Sequence, residues 1–229
     1  MRKALLLQVC VLGVVCALAA GCGGKKSASG SATTAQTATG QTATGQTKNG
    51  CAPATERTHQ RTEKNQHLKL DPTKTYRLAF TTNCGDFTVT LSPRLAPNAT
   101  GSLVSLARAG FFDDTFFHRV VPGFVIQGGD PSGTGAGGPG YETHDRVPKN
   151  ASYVHGVVAM AKASTEPAGT AGSQFFVVTA KDAALPPDYA VVGKVTSGLD
   201  VVDRIGKLGD ASEQPTQPIV IDHVRVQTS

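Results

Sequence analysis

Between about residue 76 and the C-terminus, short runs alternate apolar and polar positions in the strand period, and turn residues separate them. Residues 76–82 and 87–91 read as two strands joined by the turn Asn83-Cys84-Gly85-Asp86. Residues 115–120, 124–128, 154–160, 173–178, 189–195 and 219–226 read as six more. The period lengthens to that of a helix in two places. After Pro97, which suits a first helical position, Leu103, Leu106, Ala107 and Gly110 fall at i, i+3, i+4 and i+7. A second helix is expected from Ser197, with Asp200 three residues on as a relative of the capping box and Leu199, Val202 and Ile205 on its apolar face. The folded part is therefore mainly β, with eight strands and two helices.

The first 75 residues follow another pattern. Met1-Arg2-Lys3 is a short basic start, and the 17-residue apolar run 4–20, interrupted by Gln8, ends in small side chains. A run of that length and ending reads as a secretory signal peptide over residues 1–21 rather than a spanning helix. Leu18-Ala19-Ala20-Gly21-Cys22 resembles the lipoprotein box of bacteria, although its leucine stands one place further from the cysteine than usual. That resemblance implies that Cys22 is lipidated and that the protein is extracytoplasmic, anchored to the bacterial cell membrane; the alternative is plain secretion. Residues 22–50 are largely Gly, Ser, Ala, Thr and Gln, with Thr37-Ala38-Thr39-Gly40-Gln41 repeated at once as Thr42-Ala43-Thr44-Gly45-Gln46. With almost nothing bulky to bury they read as a flexible tether, and a coil of about 50 residues reaches about 40 Å on average. Residues 51–75 are more charged and read as a loosely structured lead-in to a domain over 76–229.

Charge and cysteine usage narrow the function classes. A net charge of +5 falls to +3 when Arg2 and Lys3 leave with the signal peptide, and no basic stripe interleaved with aromatics is present, so nucleic acid is not an expected partner. Cys10 and Cys16 lie in the signal peptide and Cys22 is the anchor, which leaves Cys51 and Cys84 as candidates for a disulfide in an oxidising compartment. The histidines are scattered and no Cys/His group has ligand spacing, so no metal and no cofactor are expected. Gly133-x-Gly135-x-Gly137-Gly138 looks like a phosphate loop, but Pro139 and Gly140 stand where its helix would begin, and a mobile loop is the expectation. His118, Asp130 and Ser132 or Ser173 could suggest a hydrolase, yet there is no nucleophile elbow. Asn98-Ala99-Thr100 and Asn150-Ala151-Ser152 match a glycosylation sequon but follow a lipoprotein-type signal, which points to a bacterium.

The chemistry concentrates in residues 116–130. There Arg119 sits in a run otherwise apolar, aromatic or glycine, apart from His118, Gln127 and the closing Asp130, and a guanidinium cannot shed its charge to escape burial. On spacing alone Arg119 could be a strand residue whose stem packs on Phe117 while its head reaches water. A second run, Gly172-Ser173-Gln174-Phe175-Phe176-Val177-Val178-Thr179, again places a glutamine before two phenylalanines. Together with Phe117-His118-Arg119-Val120-Val121-Pro122-Gly123-Phe124, Gln127-Gly128-Gly129-Asp130-Pro131, Gly156-Val157-Val158-Ala159-Met160-Ala161 and Val192-Gly193-Lys194-Val195, this order of blocks resembles the cyclophilins, a family of peptidyl-prolyl isomerases.

The resemblance implies a closed eight-stranded antiparallel β-barrel capped by the two helices, and the activity of a peptidyl-prolyl cis-trans isomerase on proline-containing peptides. It implies Arg119, Gln127 and Phe124 as catalytic residues, and Val125, Ala161, Lys162, Gln174, Phe176, Leu185 and Tyr189 as the substrate-binding set. Three positions depart from the common pattern: Lys162 replaces an asparagine, Ala184 stands where many members have tryptophan, and Tyr189 where many have histidine. Weak cyclosporin binding is the expected result of Ala184. The reading from another class is a peptide-binding chaperone module with little turnover.

Overall fold

The computed structural model describes residues 49–229. The signal-peptide, Cys22 and repeat expectations therefore lie outside the described residues. In β1 (Tyr76–Thr82) the residues Tyr76, Leu78, Phe80 and Thr82 are buried while those between them are half-exposed. β2 (Gly85–Leu91) buries Phe87, Val89 and Leu91 in the same way. The two pair antiparallel with Phe80 opposite Phe87, and the rings stack at 4.6 Å. One face of the hairpin thus enters the core and the other stays wet, as strand alternation requires.

Next come α1 (Pro97–Arg108), β3 (Thr115–Phe116), β4 (Arg119–Val121), β5 (Val125–Gly128), β6 (Thr143–His144) and β7 (Val157–Met160). They are followed by β8 (Thr170–Ala171), β9 (Phe175–Val178), β10 (Val191–Ser197), α2 (Leu199–Ile205) and β11 (Val220–Thr228). The main sheet has nine strands in the order β3-β11-β1-β2-β10-β7-β9-β5-β4, and β6 pairs with β8 in a small second sheet. Among the described residues the architecture is mainly β with two helices, but it differs from the expected closed eight-stranded barrel. The run expected as one strand over 115–120 is two: β3 pairs with β11, β4 pairs with β5, and Phe117 and His118 pass between them. The sheet is so strongly curled that its two edge strands belong to one stretch of chain.

Helix α1 begins at Pro97 and has no side-chain cap of its own. Its free N–H groups are met from outside: the buried Asp145 carboxylate accepts from Asn98 N–H at 3.0 Å and Ala99 N–H at 2.7 Å. A carboxylate there satisfies two orphan donors and faces the positive end of the helix. Helix α2 starts later than expected. Ser197 ends β10, and Gly198, at φ 72, is the N-cap without a side-chain bond. A left-handed backbone and close packing select that glycine, since a Cβ on it would lie 2.2 Å from the Asp86 carbonyl.

The lead-in is more ordered than a loose segment. It has no helix or ladder strand, yet Cys51 is joined to Cys84 by a disulfide and Leu68 and Leu70 pack on the core. Arg61 Nη1 donates to the Gly110, Phe111 and Asp113 carbonyls at 3.1, 2.9 and 2.6 Å. The backbone of Leu68 lies so close to α1 that a Cβ on Gly101 would stand 1.9 Å from its carbonyl oxygen. In an open helix a glycine-to-alanine change gains about 1 kcal/mol. Here Gly101→Ala is expected to lose about 1 to 3 kcal/mol, because the added methyl pushes the lead-in off α1. Urea unfolding of the two proteins measures the sign.

Candidate active site

Cross-strand register places the site. Arg119 on β4 stands opposite Gln127 on β5, Gln127 opposite Phe176 on β9, Phe176 opposite Ala159 on β7, and Ala159 opposite Val191 on β10. Directly paired residues share a face, so one row crossing five strands carries a cation, an amide and an aromatic ring side by side. A second row, Val121, Val125 and Val178, runs parallel to it. The residues between the rows, Val120, Ile126, Val177 and Val158, point to the inner core. Phe175 joins that core, while Phe176 belongs to a second apolar cluster on the other face.

That second cluster gathers most of the expected binding residues. Phe124, Val125, Ala161, Phe176, Leu185 and Tyr189 pack in it with Tyr153. Tyr189 meets Phe176 edge-on at 5.5 Å. Tyr153, not anticipated from the sequence, anchors Tyr189 twice: its buried hydroxyl donates to the Tyr189 carbonyl at 2.8 Å and accepts the Tyr189 N–H at 2.9 Å. A tyrosine just ahead of a strand carries no sign in the sequence of what its hydroxyl will meet.

The polar members are linked in series. Arg119 Nη1 donates to Gln127 Oε1 at 3.3 Å, Gln127 Nε2 to Gln174 Oε1 at 3.0 Å, and Gln174 Nε2 to the Gly135 and Gly137 carbonyls, each at 2.9 Å. On its other side Arg119 Nε donates to Glu213 Oε2 at 2.6 Å, and the Val120 N–H, on the free edge of β4, donates to the Glu213 carbonyl at 2.9 Å. Glu213 was also not anticipated: it lies 94 residues away in sequence and holds a left-handed backbone at φ 64. The Lys162 side chain, 2% exposed, pairs with Asp188 at 2.9 Å and sits 5.5 Å from the centre of the Tyr189 ring. Beyond the two glutamines opens a cavity of about 790 Å³ lined by the glycine-rich loop, Ala161, Lys162 and Gln174, with Glu142 and Glu166. Arg119, Phe124 and Phe176 are not among its lining residues, so the apolar cluster and this cavity are neighbouring compartments with Gln127 and Gln174 between them.

The hydrolase and nucleotide readings fail on geometry. Among the described residues neither ring nitrogen of the buried His118 has a hydrogen-bond partner, and the Ser173 hydroxyl is spent on the Gly129 carbonyl at 2.7 Å. Burial alone would raise the pKa of Asp130, but hydrogen bonds from the Ser132 hydroxyl and from the Gly137, Ser132 and Gly135 N–H groups outweigh it and hold the carboxyl below its ordinary value. Asp130 is therefore the organiser of the glycine-rich loop, which is tied down rather than free, and the loop's N–H groups serve a carboxylate rather than a phosphate.

The arrangement, an apolar cluster edged by a restrained guanidinium and two amides, suits the apolar ring and the polar backbone of a peptide. A model of the family "Cyclophilin type peptidyl-prolyl cis-trans isomerase/CLD" matches residues 77–226, and the chain belongs to that family and is a peptidyl-prolyl cis-trans isomerase. It is similar to a peptidyl-prolyl cis-trans isomerase of Helicobacter pylori, 39% identical over 158 residues that cover 63% of this chain and 94% of the relative. Similarity to peptidyl-prolyl cis-trans isomerase A of Mycobacterium tuberculosis is 35% over 177 residues, covering 68% of this chain and 94% of the other. Among solved structures, a cyclophilin-type isomerase of Cryptosporidium parvum, determined in the presence of the dipeptide Ala-Pro, superposes with a TM-score of 0.61 at 32% identity. It covers 66% of this chain and 98% of its own.

His118 gives a pH test of this arrangement. Burial is the main influence and lowers its pKa; the Asp130 carboxylate opposes this and Arg119 adds to it. The unfolded chain takes up a proton near the ordinary histidine value of about 6.5, while the folded imidazole does so only at lower pH. In that window the unfolded state binds more protons, so stability rises with pH and is lost as pH falls. Stability should decline from about pH 7 toward about pH 5, and His118→Gln should flatten that decline. Urea midpoints for both proteins across this window decide it, equal slopes being the contrary result.

Proposed function

We infer that this isomerase turns X-Pro bonds of exported proteins and that Arg119 lowers the barrier. The observation that carries the reading is the row Arg119–Gln127–Phe176, which sets a charged donor beside an apolar cluster on one face of the sheet. The X-Pro amide is planar by resonance, with a rotation barrier of about 18 to 20 kcal/mol and uncatalysed exchange over tens to hundreds of seconds. As the bond twists, conjugation breaks and the proline nitrogen regains its lone pair. A donor aimed there binds the twisted form more tightly than the planar one, which is the condition for catalysis. Bringing exchange from about 100 s to about 10 ms requires roughly 5 to 6 kcal/mol.

Glu213 on Nε and Gln127 on Nη1 fix the plane of the guanidinium, and with five N–H donors in all it keeps donors for a substrate. The proline ring sits against Phe124, Val125, Phe176 and Leu185 with Tyr189 as a wall. Gln127, Gln174, Ala161 and the Lys162 backbone hold the peptide, and a neighbouring substrate residue extends toward the cavity beyond the glutamines. The Ala-Pro dipeptide present with the Cryptosporidium parvum isomerase supports a proline-containing ligand. The exported setting, with lipid on Cys22 in a bacterial membrane, is supported by the N-terminal pattern and by the Cys51–Cys84 bond, since disulfides persist in oxidising compartments. Ala184, lacking an indole, makes cyclosporin a weak ligand.

Arg119→Ala is expected to lose about 10² to 10³ of kcat/KM on an X-Pro peptide, as for other preorganised donors, with unchanged circular dichroism. A rate within a factor of about two of the parent, too small a change for a transition-state donor, would end the mechanism. Glu213→Gly separates positioning from folding: it relieves left-handed strain of about 1 kcal/mol and frees the guanidinium. The unfolding midpoint should stay within about 4 °C of the parent while kcat/KM falls about threefold to tenfold.

A further inference from the structure

Residues 51–75 precede the segment that the family model matches, and they grip the substrate side of the domain at two points. The His59 N–H donates to the Pro131 carbonyl at 2.7 Å, and the Glu63 N–H donates to the Pro139 carbonyl at 2.8 Å. Pro131 and Pro139 flank the glycine-rich loop, so this strap holds both of its ends. Thr62 adds a contact in the middle of the grip, where a Cβ on Gly140 would lie 3.4 Å from its methyl. The strap is itself fixed at three separate places: by the Cys51–Cys84 disulfide, by Arg61 on the 110–113 carbonyls, and by Leu68 against α1.

From the loop the connection runs inward to the chemistry. Its Gly135 and Gly137 carbonyls are the acceptors of Gln174, Gln174 is the acceptor of Gln127, and Gln127 is the acceptor of Arg119. Glycine loses more freedom on ordering than any other residue, so a loop with this composition keeps one shape only if something else holds it. Asp130 holds its interior and the strap holds its ends.

We propose that residues 51–75 are a positioning element of the active site: by clamping both ends of the glycine-rich loop they fix Gln174 and, through Gln127, the aim of Arg119. This rests on Arg119 being the donor to the twisted amide. The rival is a strap that adds stability alone, with Asp130 sufficient to shape the loop.

The test uses the full chain and kcat and KM on an X-Pro peptide, measured well below the unfolding midpoint. Two variants loosen the strap, Arg61→Ala and the double change Cys51→Ala with Cys84→Ala. Each is expected to lower kcat/KM about threefold to tenfold, the scale of a small misalignment of catalytic groups. In a Gln174→Ala background the same changes should cost less than about twofold, because residues acting along one path are not additive. If folded strap variants keep the parent's kcat/KM and lose only thermal stability, or if their effects add fully to that of Gln174→Ala, the proposal is overturned. Should the chain without the disulfide fail to fold, Arg61→Ala carries the comparison, since it removes one side chain and leaves the disulfide. Arg119→Ala measured alongside keeps the two readings apart. A rate retained there removes the donor mechanism, whereas a rate lost there but kept in the strap variants removes only the role of the strap.

Discussion

The site depends on register. Arg119, Gln127 and Phe176 meet because three antiparallel strands are aligned to the residue, and a slip of one position in β5 would turn Gln127 into the core and bring Ile126 out. That slip is resisted from both faces. Val120, Ile126 and Val177 are fully buried on the inner side, and Val125, Phe176 and Val178 are buried on the outer side beneath Tyr153, Leu185 and Tyr189. Where β5 and β9 are covered on both sides a slip would expose apolar residues, so the same burial that stabilises the domain also sets the geometry of the Arg119–Gln127–Phe176 row.

Electrostatics supplies the second constraint. A guanidinium that keeps its charge must be both hydrated enough to persist and restrained enough to act. Glu213 and Gln127 take one nitrogen each, and the side chain remains 32% exposed. Lys162 shows the opposite solution: its side chain is nearly inaccessible, and an ion pair with Asp188 plus the carbonyls of Glu166 and Ala163 compensate the burial. Its side chain thus lies both against Tyr189 of the apolar cluster and in the wall of the cavity.

Much of this was legible in the sequence, for identifiable reasons. Strand period gave seven of the long and middle strands within a few residues, and Pro97 marked the start of α1. What alternation cannot show is a strand of two residues, hence the absence of β6 and β8 from the expectation, or a chain that changes partner within one run, hence the division of 115–120 into β3 and β4. The capping pattern at Ser197 and Asp200 lost to a glycine that packing required. Most of the residues that the resemblance picks out for binding pack in one cluster. Glu213 was not legible, because nothing local marks a glutamate in a left-handed turn as the partner of an arginine 94 positions earlier. The packing of the lead-in was not legible, because extended chain that packs through carbonyls and a disulfide has no periodic signal to read.

The cross-link between Cys51 and Cys84 closes a covalent ring that includes the whole strap. Any pull on the chain ahead of Cys51 is therefore carried into the β1–β2 turn, and the strap is left unloaded. A protease that nicks the strap anywhere between these cysteines leaves both pieces joined, so the N-terminal segment and the folded domain part company only when the sulfur–sulfur bond is also broken.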